Sequence, residues 1–278
     1  MHQDGFEVSQ LCEALGVHRN GYYQSLSTSG NIYQQQDQRL TPMVQDVFFQ
    51  HRRRYGARRI SMELKDRGES CSRAKVRKIM DQNGLVSIQP KSFKPRSTES
   101  RHKLGYNRNL LLEGIDVERI NQIWVGDITY IPLPGTFAYL AILMDLYSRK
   151  IVGWSLDLNM EEPLVIASLT QAIRARQPTH GLIHHTDRGG QYAGNKYRKI
   201  LSRASMLQSM SRAGDCYDNA FMESCFGTIK TELEMTTYES FEKANHEIRE
   251  YINYYNVVRR HSAIDYLSPT SFEAVLIN

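Results

Sequence analysis

The run QIWVGDITYIPL, residues 122–133, is apolar on both of its alternating faces and carries one charge, Asp127. Such a run reads as a central strand, buried above and below, so the chain needs packed layers on both sides of a sheet. Period two sets Asp127 on the same face as Val125 and Thr129. A carboxylate in that position is costly unless something cationic meets it.

The segments that follow supply the rest of the sheet. PGT turns the chain at 134–136, and FAYLAILMDL and KIVGWSLDL are two further strands separated by a Tyr-Ser-Arg turn. Pro163 opens a helix whose Leu164, Val165, Leu169, Ala172 and Ile173 face a core. GLIHH is a fourth strand, followed by a helix near 191–203, a short strand at 206–210 and a helix from about 220 to 235. The order β-β-β-α-β-α-β-α, with short turns between the first three strands, predicts a mixed α/β sheet with helices on its faces.

Asp187 comes at the end of the fourth strand, where sites form in open α/β sheets. If the first and fourth strands are neighbours, Asp127 and Asp187 converge. Two oxygen ligands are few for a divalent ion, and Glu223 on the helix after 220 is the best third. Phe226, Gly227 and Lys230 share its helical face, so Phe226 would anchor the helix while Lys230, about 10 Å along the axis, offers a charge to a polyanion. Carboxylates without a cysteine or histidine cage favour Mg²⁺ or Mn²⁺ over zinc. A pair of such ions can clamp the attacking and leaving oxygens of a phosphodiester.

Charge points to the same class of partner. Residues 51–115 hold 17 Lys and Arg against 6 Asp and Glu, whereas the segments on either side are net acidic. A basic block of this kind suggests nucleic acid. VSQLCEALGVHRNGYY, residues 8–23, reads as a helix, a Gly16 turn and a second helix that would aim His18, Arg19 and Asn20 at a major groove. A second unit spans 57–82: Ile60 and Leu64 pack inward, Gly68 turns the chain, and Ser72 caps a helix from Arg73 to Gln82. Val76, Ile79 and Met80 form its buried stripe. Arg58, Arg59, Arg73, Lys75, Arg77 and Lys78 are then left as DNA contacts. Residues 89–109, with six Lys and Arg and one Glu, read as an extended basic linker.

The 35 residues between Asp187 and Glu223 complete a pattern. WVGDITYI, YLAILMDLYSRKIVGWS, GLIHHTDRGGQY, SRAGDCYDNAFMESCFGTIKTE and INYYNVVRRHSAIDYLSPTSFE, with RRRYGARRI before them, cover nearly the whole chain. Together they resemble the D,D(35)E transposases and retroviral integrases, and most closely the OrfB product of bacterial insertion sequences of family three. The resemblance implies a ribonuclease H-like core, with Asp127, Asp187 and Glu223 as the metal-binding triad and Lys230 on the DNA. It implies strand cleavage and transfer at insertion-sequence ends without a covalent protein–DNA intermediate. The expected partners are element-end and target DNA, further copies of the chain, and an upstream OrfA-type DNA-binding product, separate or fused by frameshifting. The expected organisation is a helix-turn-helix at 1–28, a second basic one at 41–88, a linker at 89–117, and the catalytic core with a helical extension at 118–278.

The four cysteines, Cys12, Cys71, Cys216 and Cys225, include no C-x-x-C pair, which argues against a zinc knuckle and a disulfide framework. No apolar stretch approaches the roughly 18 residues that span a bilayer, and Met1 to Phe6 is polar, so the expected place is the bacterial cytoplasm, on the nucleoid when DNA is bound. Two rival readings remain at this level. HTDR matches the His-x-x-Arg box of tyrosine recombinases, with Tyr217 following, and the two helical units alone suit a non-catalytic regulator. Asp145, Asp215 and Asp218 are rival acids. His184 and His185 read as packing groups or as supports behind the ligands rather than as ligands, Ser211 and Asn219 as loop-shaping ones. Arg259, Arg260 and His261 either touch DNA or pack the last helix.

Overall fold

The computed structural model describes residues 7–26, 32–90, 105–212, 220–234 and 237–277. They fall into two compact units divided between Ser87 and Ile88. The first is all helical: α1 (Val8–Ala14), α2 (Arg19–Leu26), α3 (Ile32–Gln50), α4 (Ala57–Asp66) and α5 (Arg73–Gln82). Ile60 and Leu64 of α4 and Val76, Ile79 and Met80 of α5 are buried, as the stripes predict. The Ser72 hydroxyl caps α5 by accepting from the Lys75 N–H at 3.2 Å. The sequence reading missed α3, which brings Leu40, Val44, Val47 and Phe48 to the same core. Its polar first half and the internal Pro42 conceal this stripe, because proline removes one helical hydrogen bond and normally ends a helix.

The second unit is a five-stranded sheet in the order β3-β2-β1-β4-β5. The strands are β1 (Ile123–Leu133), β2 (Thr136–Asp145), β3 (Ile151–Asp157), β4 (Ile183–Thr186) and β5 (Leu207–Met210). β1 to β3 form an antiparallel meander, with Trp124 opposite Asp145 and Leu133 opposite Thr136. β4 and β5 add in parallel on the other side of β1. Parallel addition requires crossover helices, supplied by α6 (Glu162–Arg176), α7 (Gly190–Ala193) and α8 (Asn195–Arg203). They cover one face, where Trp124, Ala141 and Leu143 meet Leu164, Val165, Leu169 and Tyr197. The other face, with Val125, Ile131, Leu140 and Ile142, packs under α9 (Ala220–Glu232) and α10 (Phe241–Val257). The result is a ribonuclease H-like mixed sheet with helices on both faces.

Two expectations need correction. The helix near 191–203 is broken at Gly194, where a Cβ would stand 2.1 Å from a Glu162 carboxylate oxygen. That oxygen accepts from the Lys196 and Tyr197 N–H groups at 3.1 and 3.0 Å and so caps the start of α8. The second concerns the basic linker, expected to run to 117. From Gly105 onward the chain is laid against the second unit instead: Leu110, Leu111, Ile115 and Val117 pack on its core, and the Leu110 N–H donates to Ser209 at 2.9 Å. The preceding basic residues had outweighed these apolar ones. Residues 91–104 of the linker lie outside the described residues. At the far end, Glu273 of α11 (Pro269–Ile277) is clasped by Arg176 at 2.7 and 2.8 Å, by Lys150 at 2.9 Å and by Ser148 at 2.8 Å.

Candidate active site

The parallel pairing of β1 with β4 ends at Gly126 and Thr186. The next residue of β1 is Asp127, and the next after β4 is Asp187. Each carboxylate is steadied by a nearby backbone donor, Asp127 by the Ile128 N–H at 2.7 Å and Asp187 by the Gly189 N–H at 2.9 Å. The Asp127 carboxyl is pushed above the usual carboxylate range, first by desolvation and then by the charge of Asp187. Glu223 adds to this rise, while the Ile128 hydrogen bond and Lys230 oppose it.

α9 crosses this face of the sheet on Met222, Cys225, Phe226 and Ile229, which are all buried. Glu223 sits in its first turn, exposed, and Lys230 in its last, half-buried. The Lys230 ammonium lies 4.5 Å from the centre of the Tyr130 ring. Burial lowers its pKa, and the charge of Asp127 works the other way. Glu223 and Lys230 thus both act electrostatically on Asp127 from one helix. Among the described residues, no three His, Cys, Asp or Glu side chains are drawn tightly enough together to form a ready cage for an ion.

The donor chemistry nevertheless fits a hard divalent ion: three carboxylates and no thiolate or imidazole. One further observation agrees. Tyr192, 1% exposed, lies within electrostatic range of Asp127 and Asp187, and its hydroxyl has no hydrogen-bond partner among the described residues. A buried hydroxyl without a partner is rare and costly away from functional sites. The sequence reading missed Tyr192; its only signal was an aromatic closing the GLIHHTDRGGQY stretch.

The rival groups have structural tasks. Asp145 ends β2 and is fully buried, accepting from the Asn121 N–H at 2.6 Å and from the Tyr147 and Ser148 N–H groups at 3.0 Å. His184 and His185 are buried against Tyr197 and Ser209, at 2.6 and 2.8 Å. Ser211 accepts at its carbonyl from Arg188 at 2.7 Å, which ties the residue after Asp187 to the end of β5. Asp215, Cys216, Tyr217, Asp218 and Asn219 lie outside the described residues. Arg259 is 3% exposed and binds Glu232 at the end of α9 through both Nε and Nη2, at 2.7 to 2.9 Å. Tyr251 donates to the same Glu232 at 3.0 Å. Packing therefore accounts for Arg259, and local sequence gave no sign of its partner 27 residues earlier.

In the helical unit the six basic candidates are not equivalent. Arg58, Arg73, Arg77 and Lys78 are exposed, and Arg59 lies over the Tyr55 ring at 5.6 Å. Lys75 is mostly buried in an ion pair with Asp37 of α3, which Lys78 joins at 3.3 Å. Arg19 and Asn20 are exposed in the first turn of α2. Among the described residues no helix is long and apolar enough to cross a membrane.

The chain resembles known proteins over most of its length. Residues 117–216 and 205–269 match family models described as Integrase core domain, and residues 35–93 match one described as HTH-like domain. The chain is 36% identical over 276 residues to Transposase InsF for insertion sequence IS3A of Escherichia coli (strain K12), covering 98% of this chain and 96% of that one. It is 39% identical over 236 residues to the Transposase for insertion sequence element IS904 of Lactococcus lactis subsp. lactis (strain IL1403), covering 84% and 93%. A solved structure of the HTLV-2 integrase catalytic core domain in complex with magnesium, in its trimeric form, is similar at 16% identity and a TM-score of 0.45, over 55% of this chain and 95% of that one. On its relatives and its core domain, the chain belongs to the insertion-sequence transposases of the IS3 family.

Proposed function

We propose that this transposase cuts and joins DNA strands at the ends of its insertion sequence, with Asp127, Asp187 and Glu223 as the carboxylates that hold Mg²⁺ or Mn²⁺, two ions in all. The observation that carries the reading is the parallel register of β1 and β4, which makes Asp127 and Asp187 successive to paired residues, under a helix bearing Glu223 and Lys230. Bound there, divalent ions stabilise the attacking and leaving oxygens of a phosphodiester. The chain's own work is to position. The Ile128 and Gly189 N–H groups orient the two aspartates, and α9 brings Glu223 to the same side of the sheet. Lys230, two turns beyond Glu223, contacts the DNA backbone beside the scissile phosphate.

DNA affinity is assigned to Arg58, Arg59, Arg73, Arg77 and Lys78, with Arg19 and Asn20 on α2; Lys75 belongs to the same candidate set but is held in an ion pair with Asp37. The proposed division is 1–28 and 41–88 for binding and 118–278 for chemistry, with 89–104 between them and 105–117 laid on the second unit. Cleavage of two element ends also calls for more than one copy of the chain, and an OrfA-type product is the proposed partner for end recognition. Family membership sets aside the tyrosine recombinase and the non-catalytic regulator. The test is incubation of the full chain with labelled duplexes carrying the ends of its own element. Nicked and joined strands are expected with Mg²⁺ or Mn²⁺, and none with a chelator. Strand cleavage that survives chelation would contradict the reading.

A further inference from the structure

Lys230 reaches the site from α9, but a lysine side chain has several freely rotating bonds and no single preferred direction. Something must hold its ammonium if it is to fix a phosphate. β1 continues for seven residues beyond Gly126, its last partner on the β4 side. Tyr130 lies in that stretch, three residues after Asp127, and its ring centre is 4.5 Å from the Lys230 ammonium. The ring is held in turn by Phe137 of β2, edge-on at 5.3 Å and 77°. A cation over an aromatic face is attracted to the ring's negative centre, more strongly when partly desolvated, as Lys230 is. The contact therefore joins the strand of Asp127 to the helix of Glu223 at the cationic end of the site.

We infer that Tyr130 is a positioning residue: its ring aims the Lys230 ammonium at the DNA backbone beside the three carboxylates. The inference deepens the reading of Lys230 given above and rests on it. The ring, not the hydroxyl, does the holding, so phenylalanine is an adequate substitute. An aliphatic side chain removes the ring's hold on the Lys230 ammonium, and the scissile phosphate loses its register. Misplacing a reacting group by about 1 Å costs up to about 10²-fold in rate. The cation–π contact itself sets a lower scale, about 3- to 30-fold.

The test uses the full chain and saturating duplexes carrying the element's own ends, in single-turnover cleavage. Tyr130→Leu, and Tyr130→Met as a second ring-free variant, should slow cleavage about 3- to 30-fold with little change in DNA affinity. Tyr130→Phe should restore most of the rate, and Lys243→Ala should cleave like wild type. Tyr130→Leu should add nothing in a Lys230→Ala background. Independently of activity and metal, the Lys230 side-chain methylene protons should be shifted upfield by the ring, and return on Tyr130→Leu but not on Tyr130→Phe. Several results overturn the inference while leaving Lys230 itself intact: wild-type cleavage by both ring-free variants, equal losses in Tyr130→Phe and Tyr130→Leu, additivity with Lys230→Ala, or no upfield shift. Wild-type cleavage by Lys230→Ala instead removes the DNA contact of Lys230, and the role of Tyr130 with it.

Discussion

Gly126 of β1 stands opposite Thr186 of β4, and the residue after each of them is an aspartate. Two carboxylates far apart in sequence become neighbours through the register of one parallel strand pair.

An ion held by these groups stabilises the fold it binds by mass action, by about 2.7 kcal/mol at a hundred times its dissociation constant. Mg²⁺ or Mn²⁺ should raise the melting temperature of the wild type. The rise should be lost in Asp127→Asn and in Asp187→Asn. An equal rise in all three proteins would mean that the ion binds elsewhere.

His184 is buried on Tyr197, and desolvation lowers its pKa to about 3, against about 6.5 for a free histidine. Between these values the unfolded chain binds the proton and the folded one does not, so stability falls as pH drops below about 6.5, at up to about 1.4 kcal/mol per unit from this group. Denaturant unfolding from pH 7 to 5 should therefore be less steep in pH for His184→Gln than for wild type. Identical slopes would show that His184 titrates freely.

The Arg259–Glu232 bridge ties the end of α9 to the segment after α10. Removing one partner strands a buried charge, at a cost of about 3–5 kcal/mol. Arg259→Met should lower stability by that amount, and the double variant Arg259→Met with Glu232→Met should recover much of it. A change below about 1 kcal/mol in Arg259→Met would place the pair in surface-like surroundings.

Exposed Arg73 and Arg77 should each contribute about one phosphate contact, a slope of about −0.9 in log affinity against log salt. Arg73→Ala with Arg77→Ala should flatten the slope of the full chain accordingly. Lys75→Ala should instead lower the melting temperature of the helical unit, because Asp37 loses the nearer of its two partners. An unchanged slope in the arginine variants would move the DNA surface away from α5.

Much of the fold was readable because its strongest signals are local. The two-sided apolarity of 123–133 marks the central strand, and Ser72 with Val76, Ile79 and Met80 marks α5 to the residue. The missing parts depend on neighbours. α3 hides behind Pro42, and the helix break at Gly194 is set by Glu162, 32 residues earlier. The apolar residues of 110–117 were masked by the basic ones before them. In the site, the two acids could be paired only on the condition that β1 and β4 are adjacent. Tyr130 was out of view, since period two assigns it to the face away from Asp127, and only the tertiary structure sets its ring 4.5 Å from the Lys230 ammonium.

The most direct test of the catalytic reading is single-turnover cleavage of labelled element ends by Asp127→Asn, Asp187→Asn and Glu223→Gln, each at saturating DNA with Mg²⁺. Each change removes a ligand charge and keeps the size of the side chain. All three proteins should bind the ends with near wild-type affinity and melt as folded proteins, and none should produce nicked or joined strands. Cleavage by any one of them at near the wild-type rate would take that residue out of the site.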